Sequence, residues 1–251
     1  MKERPLVSII FPTRGRSAIL RDNINRLKET IGQQTEIEIC IKVDEDDIET
    51  KELTNSILDH NFKVITTPRL HGYFSLPEFF QDLYRISTGT FVMHWNDDVY
   101  LEDAGNLVES MKSNIDNPCI IASCQSCNFP LAHRLLFEWM IEKYGENFQG
   151  DILYFDGYLL GFRHYYPELI SEYSSYRYSH IYFNRNNRVE EMLTKLGDGD
   201  GQRGYLKGYE DTNKTKEWLR ETEHIRGMHA GHRIMEDWGF FKAKREEYLK
   251  L

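Results

Sequence analysis

The sequence predicts an α/β fold: one domain built on a mostly parallel, doubly wound sheet flanked by helices. Three observations lead there. Short apolar runs of strand length alternate with stretches of helical periodicity over roughly the first 120 residues, the order that winds a parallel sheet. Two of these runs end directly in acidic residues, at Asp44 and near Asp97, and parallel sheets bind ligands beyond the carboxyl ends of their strands. A chain of 251 residues, 40% hydrophobic and 28% charged, suffices for one good core but would be cramped as two full domains.

Leu6-Val7-Ser8-Ile9-Ile10-Phe11 is a short apolar run closed by Pro12, as in a buried parallel strand. Leu20, Ile24, Leu27 and Ile31 recur at spacings of 4, 3 and 4. That puts them on one helical face, and Gly32 supplies the stop. Ile37, Ile39, Ile41 and Val43 alternate strictly and run into Asp44-Glu45-Asp46-Asp47, so a second strand ends in a carboxylate-rich loop. A βαβ unit results. A weaker helix around Leu53 to Leu58, a strand at Phe62 to Ile65 and a helix opened by Pro77 and carrying Phe79, Phe80, Leu83 and Ile86 continue the alternation. Thr90 to Trp95 is the fourth strand and leads into Asn96-Asp97-Asp98. A helix through Ala104, Leu107, Val108 and Met111 then precedes Pro118 and a strand from Cys119 to Ala122.

The second half is less regular. Residues 133–144 read as helix, 152–162 as a strand interrupted by Asp156-Gly157, and 188–196 as helix through Val189, Met192, Leu193 and Leu196. Residues 197–208 hold five glycines among Asp198, Asp200 and Arg203, the composition of a flexible loop. No repeat, long linker or low-complexity tail interrupts the chain.

The formal charge of −9 makes the surface repel nucleic-acid phosphates and anionic lipid, which argues against a nucleic-acid partner. No apolar run approaches the length of a membrane span. The longest near the start, Leu6 to Phe11, lies between Glu3 and Pro12 and Arg14, unlike a signal peptide, so a cytoplasmic protein without an integral membrane segment is expected. Four cysteines are too few for a disulfide scaffold, and Cys40, in an apolar run, packs most simply as a small hydrophobe.

Asn96-Asp97-Asp98 is the sharpest local feature. Adjacent carboxylates at the exit of a buried strand repel each other unless a cation or hydrogen-bond donors compensate. Hard oxygen ligands suit Mg²⁺ or Mn²⁺, with a diphosphate completing the shell. The alternative is a solvated turn in which Asp98 caps the next helix. Arg69, after the third strand, offers a bidentate match to a phosphate, although surface arginines are common. Tyr165, Tyr166, Tyr173, Tyr176, Tyr178 and Tyr182 suit either sugar stacking or a homo-oligomer interface. Cys124 and Cys127 form a C-x-x-C that redox chemistry or zinc would need in another context, the latter with His229 and His232. Asp198-Gly199-Asp200-Gly201 lacks the remaining acids of a calcium loop and reads better as a lid.

Three segments taken together carry a resemblance: Val7 to Arg16 with Pro12-Thr13-Arg14, then Val43-Asp44-Glu45-Asp46-Asp47, then Gly89 to Asp98. In order and spacing they resemble family 2 glycosyltransferases, and Gly157-Tyr158-Leu159-Leu160-Gly161-Phe162-Arg163 looks like that family's acceptor-side segment. The resemblance implies the GT-A (nucleotide-diphospho-sugar transferase) fold as one domain over 1–251. Residues 1–125 would be the nucleotide-sugar-binding half, and 126–251 the acceptor-binding half with a C-terminal metal-histidine loop.

Carried across by similarity, Pro12, Thr13 and Arg14 line the nucleotide pocket, Asp44 accepts from the base, and Asn96 and Asp97 lie at the donor. Asp97 matches the second acid of the family's D-x-D metal motif, while Trp95 stands in place of the first. Asp98 or a residue from elsewhere would compensate, and His229, in Met228-His229-Ala230-Gly231-His232, is the histidine that GT-A enzymes resembling this one add to the metal. The catalytic base would be Glu191 or Glu190, whose position fits the family's helix start but lacks its Glu-Asp pair; Asp156 and Asp151 are the other choices. The implied reaction moves a sugar, most simply a UDP-linked one, to a hydroxyl of a glycan or other acceptor, with inversion. A sugar-phosphate nucleotidylyltransferase is the rival enzyme, although it would carry a longer glycine-rich loop than Pro12-Thr13-Arg14-Gly15-Arg16. A non-catalytic nucleotide-sugar-binding relative, with Trp95 marking a lost metal site, is the other rival.

Overall fold

A computed structural model describes residues 4–32, 36–57, 59, 61–70, 76–116, 120–123, 129, 131–144, 170–174 and 178–180. In chain order these form β1 (Val7–Thr13), α1 (Ser17–Ile31), β2 (Ile37–Asp44), α2 (Ile48–Ile57), β3 (Phe62–Thr67), α3 (Leu76–Ile86) and β4 (Phe91–His94). They continue as β5 (Val99–Leu101), α4 (Ala104–Lys112), β6 (Ile120–Ser123), β7 (Leu131–His133), α5 (Arg134–Tyr144), β8 (Ile170–Ser174) and β9 (Tyr178–His180).

Among the described residues the main sheet has the order β3-β2-β1-β4-β7-β6-β8, and β5 pairs with β9 in a two-stranded ribbon. Strands β3, β2, β1 and β4 run parallel, β7 is antiparallel to both β4 and β6, and β6 and β8 are parallel. The mostly parallel α/β sheet expected from the sequence is therefore the one observed. Every residue of β1 and β2 is buried, as befits central strands covered on both faces.

Local chemistry sets the element ends. In α1 the apolar stripe Leu20, Ile24, Leu27 and Ile31 is buried, and Gly32 closes the helix at φ 58° with its N–H on the Lys28 carbonyl; glycine meets that backbone without a steric penalty. Helix α2 starts earlier than expected, because Asp47 Oδ1 accepts from the Thr50 N–H at 3.3 Å and nucleates the first turn. The cap of α4 is Asp103, whose side chain accepts from Asn106 N at 3.1 Å. Asp98 therefore does not cap that helix.

Strand β1 runs two residues past the predicted Phe11, through Pro12. Ile10 accepts from the Trp95 N–H at 2.9 Å, so by strand alternation the nitrogen of Pro12 faces the same side, beyond the last β1–β4 pair at Ile10 and His94. Its missing N–H costs no ladder bond there. The two strands part at this point. The chain builds outward from β1 through β2 to β3 and then crosses to β4 on the other flank of β1, which makes the gap between β1 and β4 the topological switch point of the sheet.

The opposite edge is tied shut. Glu38 of β2, 5% exposed, accepts from Ser8 Oγ at 2.6 Å, Gly89 N at 3.2 Å, Thr88 N and Thr88 Oγ1, and pairs with Lys63 Nζ at 2.6 Å. A Cβ on Gly89 would lie 2.5 Å from Ser8 Oγ, so only glycine lets this turn close on β1.

The three-residue strands β5, β7 and β9, and β8 as well, were not anticipated. The expected helix over 133–144 begins at Arg134, with His133 ending β7 instead. The expected strand at 152–162 and helix at 188–196 lie outside the described residues. No described helix is long and apolar enough to cross a membrane.

Candidate active site

The carboxyl ends of β1, β2 and β4 bring the three motif segments to one edge of the sheet. After β1 the chain turns through Gly15, whose φ of 62° is a left-handed value that favours glycine; its N–H donates to Asp47 Oδ2 at 2.6 Å. This turn sends Arg14 and Arg16 to different strands.

Arg14 goes to β2. Its Nη1 donates to Asp44 Oδ2 at 2.8 Å, and its Nη2 to Asp46 Oδ2 at 2.8 Å. Asp44 is fully buried, and its other oxygen is held by the equally buried Lys42 Nζ, which also lies 3.5 Å from the Phe79 ring centroid. Burial pulls the Lys42 ammonium below its usual range, with Asp44 opposing and Arg14 adding to the depression. The hydrogen bond to Asp46 holds the Arg14 proton more tightly than usual despite burial, helped by Asp44. Arg69, following β3, adds a smaller positive field at Asp46, which its bond to Arg14 chiefly holds low.

Arg16 goes to β4. Its Nη1 donates to Asp97 Oδ1 at 2.6 Å and its Nη2 to Asp98 Oδ2 at 2.9 Å. Thr13 Oγ1 donates to Asp97 Oδ2 at 2.8 Å, and Asn23 Nδ2 of α1 fixes the Asp97 carbonyl at 2.9 Å. Asp97 is buried, and burial raises its carboxyl above the ordinary value; Arg16 opposes this and neighbouring Asp98 reinforces it. His94, fully buried behind the turn and stacked on Phe80 with centroids 4.1 Å apart, is pushed down to about 3 by burial alone. It is a neutral ring at physiological pH.

Trp95, two residues before Asp97, is turned into the core. It is 1% exposed, packs on Phe129 at 4.7 Å between centroids, and donates its Nε1–H to the Val99 carbonyl at 2.6 Å. That bond closes the turn that presents Asp97 and Asp98. Trp95 thus anchors that turn to the core from behind.

Of the residues predicted from sequence, Thr13, Arg14, Asp44, Asp97 and Asp98 meet at this edge through direct bonds, with Pro12 and Asn96 in the adjoining backbone. Glu190, Glu191, Asp151, Asp156, His229, His232, Cys124 and Cys127 lie outside the described residues, as do Tyr165, Tyr166, Tyr176 and Tyr182. Cys40 is buried, and burial pushes its thiol up. Sequence reasoning missed Arg16, Lys42 and Asn23. A signal existed for two of them: Lys42 is a lone cation two residues before Asp44 on the same strand face, and Asn23 is a polar residue interrupting the buried stripe of α1.

No group of three or more His, Cys, Asp or Glu placed to hold a metal occurs among the described residues. The pair at Asp97 and Asp98 is nevertheless chemically matched to a divalent ion. It offers hard oxygens, and it already shares a cation, the Arg16 guanidinium.

No protein-family model matches the chain, and neither does any curated protein. Among solved structures it is similar to the mannosyltransferase PcManGT from Pyrobaculum calidifontis in complex with GDP-Man and Mn²⁺, at 14% identity and TM-score 0.45, over 55% of this chain and 47% of that one. It is also similar to S. aureus TarS 1-349 in complex with UDP-GlcNAc, at 19% identity and TM-score 0.34, over 47% and 34%. A third is 4-diphosphocytidyl-2C-methyl-D-erythritol synthase from Anaerococcus prevotii, at 15% identity and TM-score 0.39, over 56% and 75%. The chain thus spans about half the length of the mannosyltransferase and about a third of this form of TarS. No feature of the site rests on these partial likenesses.

Proposed function

We propose that the chain is a metal-dependent, inverting glycosyltransferase that moves a sugar from a nucleotide diphosphate sugar, a UDP-linked one, to a hydroxyl of a glycan or other acceptor. One observation carries the reading: the segments at 12–16, 44–47 and 96–98, far apart in sequence, converge at the switch point of the sheet through the Arg14–Asp44 and Thr13–Asp97 bonds. That is where an open α/β sheet binds nucleotides.

In this reading Pro12, Thr13 and Arg14 border the nucleotide, Asp44 accepts from its base in exchange for the Arg14 bond, and Arg69 and Asn96 lie at the donor. Asp97, Asp98 and His229 hold Mn²⁺ or Mg²⁺, which when bound supplies positive charge for the leaving diphosphate. Glu191, Glu190 or Asp156 takes the proton of the acceptor hydroxyl. Residues 1–251 act as one domain, with the donor in the first half and the acceptor in the second, and the protein works in the cytoplasm.

The test is donor hydrolysis with a panel of nucleotide sugars, beside calorimetry of UDP binding with and without Mn²⁺. Slow hydrolysis of one donor and UDP binding strengthened by the metal are expected. Metal-indifferent UDP binding without hydrolysis would make the chain a binding module instead.

A further inference from the structure

Adjacent carboxylates at the exit of a buried strand must be held together by positive charge, and in this molecule the charge is Arg16. Its Nη1 lies 2.6 Å from Oδ1 of Asp97 and its Nη2 2.9 Å from Oδ2 of Asp98. One planar fork thus spans two side chains, where guanidinium groups more often engage both oxygens of a single one. The Asp97 side chain is 4% exposed and that of Arg16 16%, so little water lies between them to weaken the pair. Thr13 Oγ1 donates to the second oxygen of Asp97. Both oxygens of Asp97 therefore have donors, and the donor on Oδ1 is a full positive charge.

A divalent ion entering the same carboxylate meets that charge. Mg²⁺ approaches carboxylate oxygen to about 2.0–2.1 Å, which would set it against the guanidinium at close range where screening is poor. Arg16 precedes α1 in the loop after β1, beside the Gly15 turn, so releasing its side chain does not require β1 to move.

We propose that Arg16 and a divalent cation exclude each other at Asp97, so that Arg16 is the resident cation of the site and the metal binds only as the guanidinium lets go. This rests on the metal-dependent reading above and adds to it a gate made from the chain itself. Without metal, Arg16 bridges Asp97 and Asp98, offsets one of their two negative charges and keeps them in place. Once displaced, it remains a cation beside the position of an anionic donor.

The experiment is Mn²⁺ binding in the absence of donor, read from the paramagnetic resonance signal of the free ion, for the full chain and for Arg16→Gln. The Arg16→Gln protein is expected to bind Mn²⁺ about tenfold or more tightly, and to lose that binding when Asp97→Asn is added. Equal or weaker binding in Arg16→Gln, with binding to the unsubstituted chain abolished by Asp97→Asn, overturns the exclusion and leaves the metal reading standing. Mn²⁺ bound by neither protein, or bound regardless of Asp97→Asn, overturns both. If Arg16→Gln does not fold, the unsubstituted chain with ¹⁵N-labelled arginine answers the same question. The Arg16 Nη–H signals, assigned by their absence in Arg16→Lys, should pass from protected to freely exchanging as Mg²⁺ saturates the site; unchanged signals at saturation overturn the proposal.

Discussion

Glu38 and Asp97 are carboxylates buried to the same degree in one sheet, at 5% and 3% exposure, yet the protein pushes them in opposite directions. Burial works against the charged form of each. At Glu38 the bonds from Lys63, Ser8 and Thr88 outweigh it and hold the carboxyl below its usual range. At Asp97 burial prevails over the bonds from Arg16 and Thr13, Asp98 adds a like charge beside it, and the carboxyl stays high. The difference lies in how fully the surrounding donors offset burial. A carboxylate saturated by backbone N–H groups, hydroxyls and an ammonium is a fastening; one that shares its arginine with a second acid and has one hydroxyl besides is left short of positive charge.

The sharpest way to break this comparison is Asp97→Ala. Donor hydrolysis and transfer should fall by about a thousandfold or more, while thermal melting stays near that of the unsubstituted chain, since Arg16 keeps Asp98. Full activity in that protein would end the parallel. Gly89→Ala acts on the other edge: with the new methyl 2.5 Å from Ser8 Oγ and 2.6 Å from Ser8 N, unfolding in urea should show a loss of about 3 kcal/mol, with donor affinity unchanged in whatever protein remains folded.

Glu38→Gln should cost about 2 kcal/mol at neutral pH and change the acid limb of stability. The folded-state pKa of Glu38 is depressed, so its contribution is present above the unfolded carboxylate value of about 4.3 and is lost as pH falls through the folded value. Melting temperatures taken downward from neutral pH should therefore fall less steeply in Glu38→Gln than in the unsubstituted chain across the acid range. A smaller effect is expected from Trp95→Phe, which keeps a six-membered aromatic ring but loses the pyrrole half of the indole and its bond to Val99: about 1–2 kcal/mol by chemical denaturation.

Much of this was legible in the sequence. The periodicity of Leu20 to Ile31 and the alternation of Ile37 to Val43 mark α1 and β2 almost to the residue, and the acidic strand ends locate the site at Asp44 and Asp97. Strands of three residues, such as β5 and β7, carry too little pattern to be read, and their antiparallel pairing is decided by the tertiary fold. Arg16 stood in full view within the first motif. Its partners are some eighty positions away, and nothing in local spacing tells an arginine which strand end it will cross to reach. Lys42 escaped notice for the opposite reason: its partner Asp44 is only two residues away, but a burial as deep as theirs emerges only when α3 brings Phe79 over that face of β2.

The indole of Trp95 has a bearing on how such a site can change over generations. An acid at that position would leave an unpaired charge among core side chains, an empty space against Phe129 and a Val99 carbonyl without its donor. A carboxylate cannot enter there by one substitution without loss to the core. Position 16 is more open to exchange over time, because Arg16 stands in the loop after β1 rather than in a buried strand.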